Sequence, residues 1–241
     1  MTRLVAHRGY QQQYPENSLL ALRKALEHGA LFIEVDVLFS ADGVPVLYHD
    51  TLMQRLSGRE SAVHLESADA LLATPLHEPQ RFGDRFIHET VAPLSALTQL
   101  LGQYPDVTAF VEMKRAGLLH MGTDAALNAV RDALQPVLAQ TVLISFDYDA
   151  VAQARALGFP SVGAVLQEWE DTTDPLMTAS QPDWIFCDVQ KVPAAADLAS
   201  LPAPVAVYEV GDSEGARYWL DRGAAAIETF DIVGVATGPQ P

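Results

Sequence analysis

The feature that most constrains this chain is a regular alternation of short β-rich runs and helical segments over nearly its whole length. Nine runs have the apolar, β-branched character of strands: 4–6, 32–37, 44–48, 108–113, 142–145, 162–166, 184–187, 205–208 and 225–228. Strands that alternate with helices predict a parallel sheet, because each helix returns the chain to the edge where the next strand begins.

The helical segments between these runs carry their own start and stop signals. Asn17 is predicted to cap a helix that continues through Leu26 and ends at Gly29. Further helices are predicted at about residues 95–101, 123–138, 148–157 and 213–222.

The third run predicts a hairpin rather than another parallel strand. Only the letters LFSADG separate Val37 from Val44, which leaves no room for a helix, and Asp42-Gly43 is a turn signal. The eight remaining strands match a TIM (β/α)8 barrel. A doubly wound open sheet is the alternative, although no glycine-rich phosphate loop follows the first strand, which disfavours its nucleotide-binding form.

The segment from residue 56 to 93 fits neither element, because Pro75, Pro79 and scattered charges interrupt it. We expect an insertion of short helices and loops on one end of a single barrel domain that spans residues 1–241. The tail 237–241 (TGPQP) is expected to fray.

The bulk composition narrows the classes of function. Apolar residues make up 49% of the 241-residue chain, enough for a large buried core, and the formal net charge is −16. Such a charge repels nucleic acid and anionic membranes, so neither is an expected partner. The lone Cys187, the lack of an apolar signal-peptide core and the lack of a membrane-length apolar run predict a cytoplasmic protein without membrane insertion.

Acidic side chains occur inside the strands, where a hydrophobic core would exclude them. In FIEVDV, Glu34 and Asp36 lie two residues apart and therefore point to the same face. Glu112 and Lys114 repeat the pattern in AFVEMK. Three carboxylates in one barrel mouth are costly unless a cation neutralises them, and an all-oxygen set favours Mg²⁺ or Ca²⁺ over Zn²⁺. The alternative is a network of ion pairs with Arg8 and Lys114 that holds no metal.

Two of the seven histidines occur beside this acidic set. His7 ends the first strand, and the hairpin would return His49 to the level of residues 35–36. Two imidazoles in this position suit general acid–base catalysis near neutral pH. Arg8 and Lys114 supply positive charge for a phosphate group. The remaining histidines are predicted to be solvated or to have structural partners: His28, His64, His77, His88 and His120.

Five motifs connect these residues in a fixed order. They are HRG at 7–9, PENS at 15–18, IEVDV at 33–37, PVLYHDTLMQR at 45–55 and VEMK at 111–114. With these motifs the chain resembles the glycerophosphodiester phosphodiesterase family over nearly its whole length. The resemblance implies a TIM barrel with a small insertion after the HD motif. It also implies hydrolysis of a glycerophosphodiester to sn-glycerol 3-phosphate and an alcohol.

The same resemblance implies roles for individual residues. They are His7 and His49 for acid–base catalysis, Glu34, Asp36 and Glu112 for one divalent metal ion, and Arg8 and Lys114 for the phosphate. Asp50 is expected to orient His49. Glu16 either orients the HRG loop or the site around the metal, or it places a charge in the first turn of the following helix. Arg55 is expected to be structural within the insertion.

Two stretches depart from the family pattern. At the seventh barrel strand, VAVYEVGD places Tyr208 where many members have a tryptophan, and IETFDIVG replaces a frequent Thr-Asp-x-Pro near the end. We therefore expect the wall that contacts the alcohol to differ, with Phe146 and Tyr208 as either substrate contacts or barrel packing.

Two other functions are compatible with the same residues. A lysophospholipase D with this chemistry would act on single-chain phospholipids, although an acidic chain without an apolar anchor favours water-soluble diesters. A metal-dependent binding barrel without catalysis would be expected to lack one of the two histidines or a carboxylate, and none is missing.

Overall fold

The structure is a computed structural model that describes residues 3–237. Within these residues the strands are β1 (Leu4–Ala6), β2 (Phe32–Phe39), β3 (Pro45–Leu47), β4 (Thr108–Met113), β5 (Thr141–Ser145), β6 (Val162–Val165), β7 (Trp184–Asp188), β8 (Val205–Tyr208) and β9 (Ala226–Thr229). All nine predicted strands are present, and no boundary differs from its predicted position by more than two residues.

Helices follow most of the strands. They are α1 (Leu19–Glu27), α2 (Gln54–Ser57), α3 (Ala68–Leu72), α4 (Pro79–Phe82), α5 (Ala96–Leu101), α6 (Arg115–Met121), α7 (Thr123–Leu134), α8 (Tyr148–Ala156), α9 (Pro175–Ser180), α10 (Ser213–Asp221) and α11 (Ile232–Thr237). Short 3₁₀ helices occupy Val63–Leu65, Gln135–Gln140, Trp169–Thr173 and Leu198–Ser200. None of the helices between residues 3 and 237 combines the length and the apolar character that a membrane span needs.

The structure departs from the predictions at two helix ends. The helix predicted at 123–138 ends at Leu134, because Pro136 cannot donate the next backbone hydrogen bond, and the chain continues as a 3₁₀ helix. The predicted cap of α1 is wrong by one residue. Ser18 has the extended backbone of an N-cap, and its hydroxyl accepts from the Ala21 N–H at 3.0 Å. Of the tail 237–241, Thr237 ends α11, and the other residues lie outside the described part of the chain.

Eight of the strands form a closed parallel barrel. β1 pairs with β9 on one side and with β2 on the other, and the order between them is β9-β8-β7-β6-β5-β4-β2. The TIM-barrel prediction is therefore confirmed. A doubly wound open sheet is excluded, because such a sheet has two edge strands and does not close through its first strand.

β3 is the predicted hairpin partner of β2. It runs antiparallel to the end of β2, with Val37 opposite Leu47. β1 pairs with β2 only as far as Ile33, so β3 occupies the edge that β1 leaves open. The Tyr48 N–H donates to the Asp36 carbonyl at 3.0 Å, and this bond places His49 beside β2 as expected.

The barrel interior is a packed apolar cluster rather than a pore. Its buried members are Val5, Phe110, Val142, Ile144, Val165, Phe186, Ala206 and Ala226. The rings of Phe110 and Phe186 meet edge to face, with their centroids 4.9 Å apart. Because this plug fills the interior, no open channel runs through the barrel, and TIM barrels of this kind bind ligands at the carboxyl ends of their strands.

The segment between β3 and α5 builds a separate small core at that end. Its buried members are Leu38, Val46, Tyr48, Met53, Leu56, Val63, Leu71, Leu76 and Val91. Isolated antiparallel bridges join Leu52 to Ala62 and Pro75 to Thr90, so the loops of the segment are tied to one another. The segment carries α2 and holds its side chains over the barrel mouth.

Candidate active site

A cavity of about 220 Å³ opens at the carboxyl end of the barrel. Seven of the nine residues predicted for the site line it: His7, Arg8, His49, Glu112, Lys114, Phe146 and Tyr208. The other two, Glu34 and Asp36, are buried next to Glu112, and the carboxylate oxygens of these three residues lie within 4.8 Å of one another. The structure therefore brings all nine predicted residues into one region.

The carboxylate cluster follows from strand register and alternation. β2 and β4 are parallel neighbours, with Asp36 opposite Glu112. Their outward neighbours Val35 and Val111 are fully buried against the helix layer. The same alternation points Glu34 and Asp36 toward the barrel axis, where 1% and 0% of their surfaces are exposed.

Two cations pair with the cluster. Arg8 Nε lies 3.0 Å from Asp36 Oδ2. Lys114 Nζ lies 2.8 Å from both Asp36 Oδ1 and Glu112 Oε1. Burial opposes ionisation of Asp36, but the charges of Arg8 and Lys114 outweigh it and hold the pKa of that carboxyl below its usual range. The ion pairs of the metal-free alternative are thus formed at Asp36.

These pairs do not neutralise the whole cluster. Four buried carboxylates come from the barrel strands themselves: Glu34, Asp36, Glu112 and Glu228. Glu34 Oε1 and Glu228 Oε1 are buried without a hydrogen-bond partner among the described residues. Burial and the neighbouring carboxylates raise the pKa of Glu34 well above its usual range, and burial raises that of Glu228 to about 7. Carboxylate oxygens that lack a hydrogen-bond donor are the ligands that a hard divalent cation binds. The residues therefore fit a metal ion.

His7 lies between two acidic side chains. Its Nδ1 is 2.9 Å from Glu209 Oε1, and its Nε2 is 3.9 Å from Glu34 Oε2. Burial disfavours the imidazolium, but the charges of Glu228 and Glu209 outweigh burial and raise the pKa of His7. His7 therefore presents Nε2 to the carboxylate cluster while Nδ1 faces Glu209.

His49 has a similar arrangement. Its Nδ1 lies 2.6 Å from Asp50 Oδ1, so Asp50 is placed to orient the ring, as expected. Burial, together with the charges of Arg8 and Lys114, lowers the pKa of His49 despite the opposing charge of Asp36. In each histidine a carboxylate faces Nδ1, which leaves Nε2 for the cavity.

Glu16 connects Arg8 to the insertion. It is 1% exposed, and it accepts from Arg8 Nη1 at 2.8 Å and from both terminal nitrogens of Arg55 at 2.8 Å. The first-turn alternative is wrong, because α1 begins at Leu19 and its first turn contains no acidic residue. Arg55 is not confined to the insertion as expected, since its Nε also donates to Asp50 Oδ2 at 2.7 Å. The Arg55 guanidinium thus links Glu16, which contacts Arg8, to Asp50, which contacts His49.

The Glu16 contacts predict a pH dependence of stability. Burial opposes ionisation, but Arg55 and Arg8 lower the pKa of Glu16 from 4.5 to about 2. The ionised carboxylate therefore stabilises the fold fully above pH 4.5, and this contribution is lost as the pH falls toward 2. Between about pH 6 and about pH 3, we expect the free energy of unfolding of wild type to fall by about 2 kcal/mol more than that of Glu16→Gln.

Urea denaturation across that pH range measures the difference directly. The control is Glu60→Gln, a substitution at an exposed glutamate, which should keep the wild-type pH dependence. Parallel curves for wild type and Glu16→Gln would contradict the assignment.

The sequence interpretation missed the functional placement of Asn17, Glu209 and Glu228. Asn17 has a left-handed backbone, with φ 56°, and its amide donates to Asp36 Oδ2 at 2.9 Å and accepts from the Asp36 N–H at 3.0 Å. Glu228 shares the inward face of β9 with Ala226, a signal that strand alternation could have supplied. Glu209 follows the last residue of β8, where no periodicity fixes its direction.

The five remaining histidines do not line the cavity. The His77 Nδ1 lies 2.9 Å from the Gly83 carbonyl oxygen, and the His28 ring packs edge-on against Tyr10. The rings of His64 and His120 contact each other at a tilted angle at the surface, with their centroids 5.5 Å apart. Phe146 and Tyr208 line the cavity and also pack on the interior cluster, so the barrel-packing alternative holds for both.

Comparison with known proteins matches part of the chain to one family. The model of the glycerophosphoryl diester phosphodiesterase family matches residues 7–76. Mouse glycerophosphodiester phosphodiesterase 1 is 34% identical over 128 residues, which cover 50% of this chain and 38% of that protein. A glycerophosphodiester phosphodiesterase from Caldanaerobacter subterraneus is 31% identical over 126 residues, which cover 52% of this chain and 51% of that protein. The matches thus span about half or less of the length of these curated relatives.

Solved structures share the fold over almost the whole chain. A phosphodiesterase from Oleispira antarctica, in complex with the product sn-glycerol-3-phosphate, has a TM-score of 0.85 at 20% identity and covers 98% of this chain and 96% of that chain. A glycerophosphodiester phosphodiesterase from Agrobacterium tumefaciens has a TM-score of 0.78 at 22% identity, with 98% and 99% covered. The matched segment contains the HRG, PENS, IEVDV and HD motifs, and the rest of the chain completes the barrel. Within residues 7–76 the chain is therefore similar to the glycerophosphoryl diester phosphodiesterase family, and its barrel has the fold of the solved phosphodiesterases.

Proposed function

We propose that the protein hydrolyses glycerophosphodiesters to sn-glycerol 3-phosphate and an alcohol, with one bound divalent metal ion. The observation that carries this proposal is the cavity itself. It brings two imidazoles and two cations against a buried carboxylate cluster. The Oleispira relative of the same fold was solved with sn-glycerol-3-phosphate, which supports the same product here.

Glu34, Asp36 and Glu112 would hold the metal ion, and their all-oxygen donor set favours Mg²⁺ or Ca²⁺. When bound, such an ion stabilises the negative charge that builds up on the phosphoryl oxygens. Asn17 keeps Asp36 in position through a two-point contact with its backbone and carboxylate. Glu228 adds a fourth buried carboxylate beside Glu34 and His7.

Arg8 and Lys114 bind the phosphate group in this proposal. Both line the cavity, and both already face the oxygens of Asp36. Glu16 fixes one end of the Arg8 guanidinium, so the side chain is held in place before substrate arrives. Preorganised cations of this kind stabilise the charge of the transition state without reorganising during the reaction.

His7 and His49 move the protons. One imidazole accepts the proton of the attacking hydroxyl, and the other gives a proton to the oxygen of the departing alcohol, so the reaction is balanced. Glu209 and Asp50 face the two Nδ1 atoms, which favours Nε2 as the atom that exchanges the proton in both rings. The attacking hydroxyl belongs either to water or to the 2-position of the glycerol, the second route giving a cyclic phosphate that water then opens.

A substrate panel tests the proposal. Purified protein is incubated with glycerophosphoglycerol, glycerophosphocholine and lysophosphatidylcholine, and released sn-glycerol 3-phosphate is measured enzymatically. We expect release from the water-soluble diesters, loss of release with EDTA, and recovery with Mg²⁺ or Ca²⁺. Release of choline from lysophosphatidylcholine alone would replace the proposal with a lysophospholipase D. Folded protein that turns over none of the three with either metal would overturn it.

A further inference from the structure

A second cavity of about 460 Å³ opens beside the first. The two share four lining residues: His49, Glu112, Lys114 and Phe146. A phosphodiester has two organic groups on one phosphate, so an enzyme for it needs two compartments that meet at the phosphate site. The shared residues include one proposed proton carrier and one proposed phosphate ligand, which puts the meeting point where the chemistry takes place.

The two compartments differ in character. The smaller one lies on the barrel axis beside the buried carboxylates, where glycerol hydroxyls find polar partners. The larger one extends outward from the axis, between the start of α6 and the loops that follow β6 and β7. It therefore suits the group that varies between substrates, which is the departing alcohol.

The outer cavity carries a net positive charge in a chain of charge −16. Besides His49, its ionisable lining residues are three cations and two carboxylates: Lys114, Arg115, Lys191, Glu112 and Glu168. Glu112 already pairs with Lys114, and Glu168 pairs with Lys191 at 2.9 Å. The remaining cation on this wall is Arg115.

The Arg115 guanidinium is held by neutral acceptors. Its Nη1 donates to Gln167 Oε1 at 2.8 Å, and its Nη2 donates to the Phe146 carbonyl oxygen at 2.6 Å. Neither of these contacts is with a charged group, the guanidinium also interacts electrostatically with the Asp171 carboxylate, whose pKa it helps to lower, and Arg115 is exposed at the rim. Among the described lining residues, Phe146 is the one aromatic side chain, so the wall offers no aromatic cage for an ammonium group.

We propose, on the basis of the proposed function, that this outer cavity receives the departing alcohol and that Arg115 determines its charge preference. Alcohols that carry a carboxylate or a hydroxyl are preferred over alcohols that carry an ammonium group. Lys191 favours the same alcohols, because without it the negative charge of Glu168 on this wall would be unpaired.

Three sn-glycero-3-phosphodiesters of similar size test this preference. Their alcohols are glycolate, ethylene glycol and ethanolamine, so they differ by a carboxylate, a hydroxyl and an ammonium group, and all release the same product. The measured quantity is the ratio of kcat/KM for the glycolate diester to kcat/KM for the ethanolamine diester. The proteins compared are wild type, Arg115→Gln, Arg115→Glu and Lys191→Gln, with Arg131→Gln as the control. Arg131 donates to the Leu157 carbonyl, away from both cavities.

We expect wild type to have the higher kcat/KM with the glycolate diester. The ratio should fall about three- to fivefold in Arg115→Gln, because the loss of one solvent-exposed charge changes binding energy only modestly. Arg115→Glu should lower it by about tenfold or more, with the ethylene glycol diester least affected. Lys191→Gln should shift the ratio in the same direction, and Arg131→Gln should leave it unchanged. A ratio that stays at the wild-type value in the Arg115 and Lys191 variants, with turnover retained, would overturn this inference alone. Wild type that turns over none of the three diesters would overturn the proposed function and the inference with it.

Discussion

Replacing either His7 or His49 with alanine is expected to lower kcat by about 10³-fold or more while the protein stays folded. Removal of one positioned acid or base costs about 10²–10⁴-fold in rate, and in the proposed mechanism each ring is the one proton carrier on its side of the phosphate. Both rings lie above the apolar plug of the barrel, so the core is unaffected. Steady-state release of sn-glycerol 3-phosphate measures the effect, and circular dichroism checks the fold.

The matched control is His88→Ala, because His88 is exposed and lies outside the cavity. It should keep the wild-type rate. Near wild-type release by His7→Ala or by His49→Ala would remove that residue from the mechanism. Substitutions at Glu209 and Asp50 should have smaller effects, because these residues orient the rings and do not touch the reacting atoms.

Glu34→Gln is expected to have two opposite effects. It should lower divalent-metal affinity and turnover by about 10²-fold or more, because Glu34 belongs to both groups of side chains that could hold an ion. It should also raise the free energy of unfolding of the metal-free protein, by on the order of 1 kcal/mol. Burial and the charges of Asp36 and Glu228 make an ionised Glu34 unfavourable without a cation, and glutamine carries no such charge.

Calorimetric titration with Mg²⁺ and Ca²⁺ and chemical denaturation in EDTA separate the two effects. The glutamine oxygen can still accept from the Arg8 N–H, as Glu34 Oε2 does at 3.0 Å, so the local structure is kept. Glu214→Gln, at an exposed site on α10, is the control and should change neither quantity. Wild-type metal affinity in Glu34→Gln would show that the ion does not bind at this cluster.

Arg55 illustrates what the local sequence could not predict. We expected Arg55 to have a structural role in the insertion, and it lies in α2, at the start of that segment. Its partners are Asp50, five positions away, and Glu16, which is 39 positions away. Such a contact depends on the path of the whole insertion over the barrel mouth, and no periodicity in the sequence encodes that path.

At Asn17 the residue type alone predicted the wrong role. Asparagine and serine are both favoured helix caps, and they are adjacent here, so composition did not decide between them. The structure uses Ser18 as the cap and turns Asn17 inward to Asp36. Gly9 sits in the same turn at φ 84°, where an added Cβ would lie 2.6 Å from the Ala21 carbonyl carbon. The turn is therefore closely packed against α1, and the side chains of its residues point in fixed directions.

Local sequence patterns were enough to predict the strands, the hairpin and the inward direction of Glu34, Asp36 and Glu112. These features depend on alternation within one strand and on short turns, which are local and follow from the residues themselves. The pairing of particular cations with particular carboxylates, and the contacts of Glu209 and Glu228 with His7, became visible only in the folded structure. It alone also placed a second, positively charged cavity beside the first. These features require side chains from strands and loops far apart in the chain, and closure of the barrel is what brings them together.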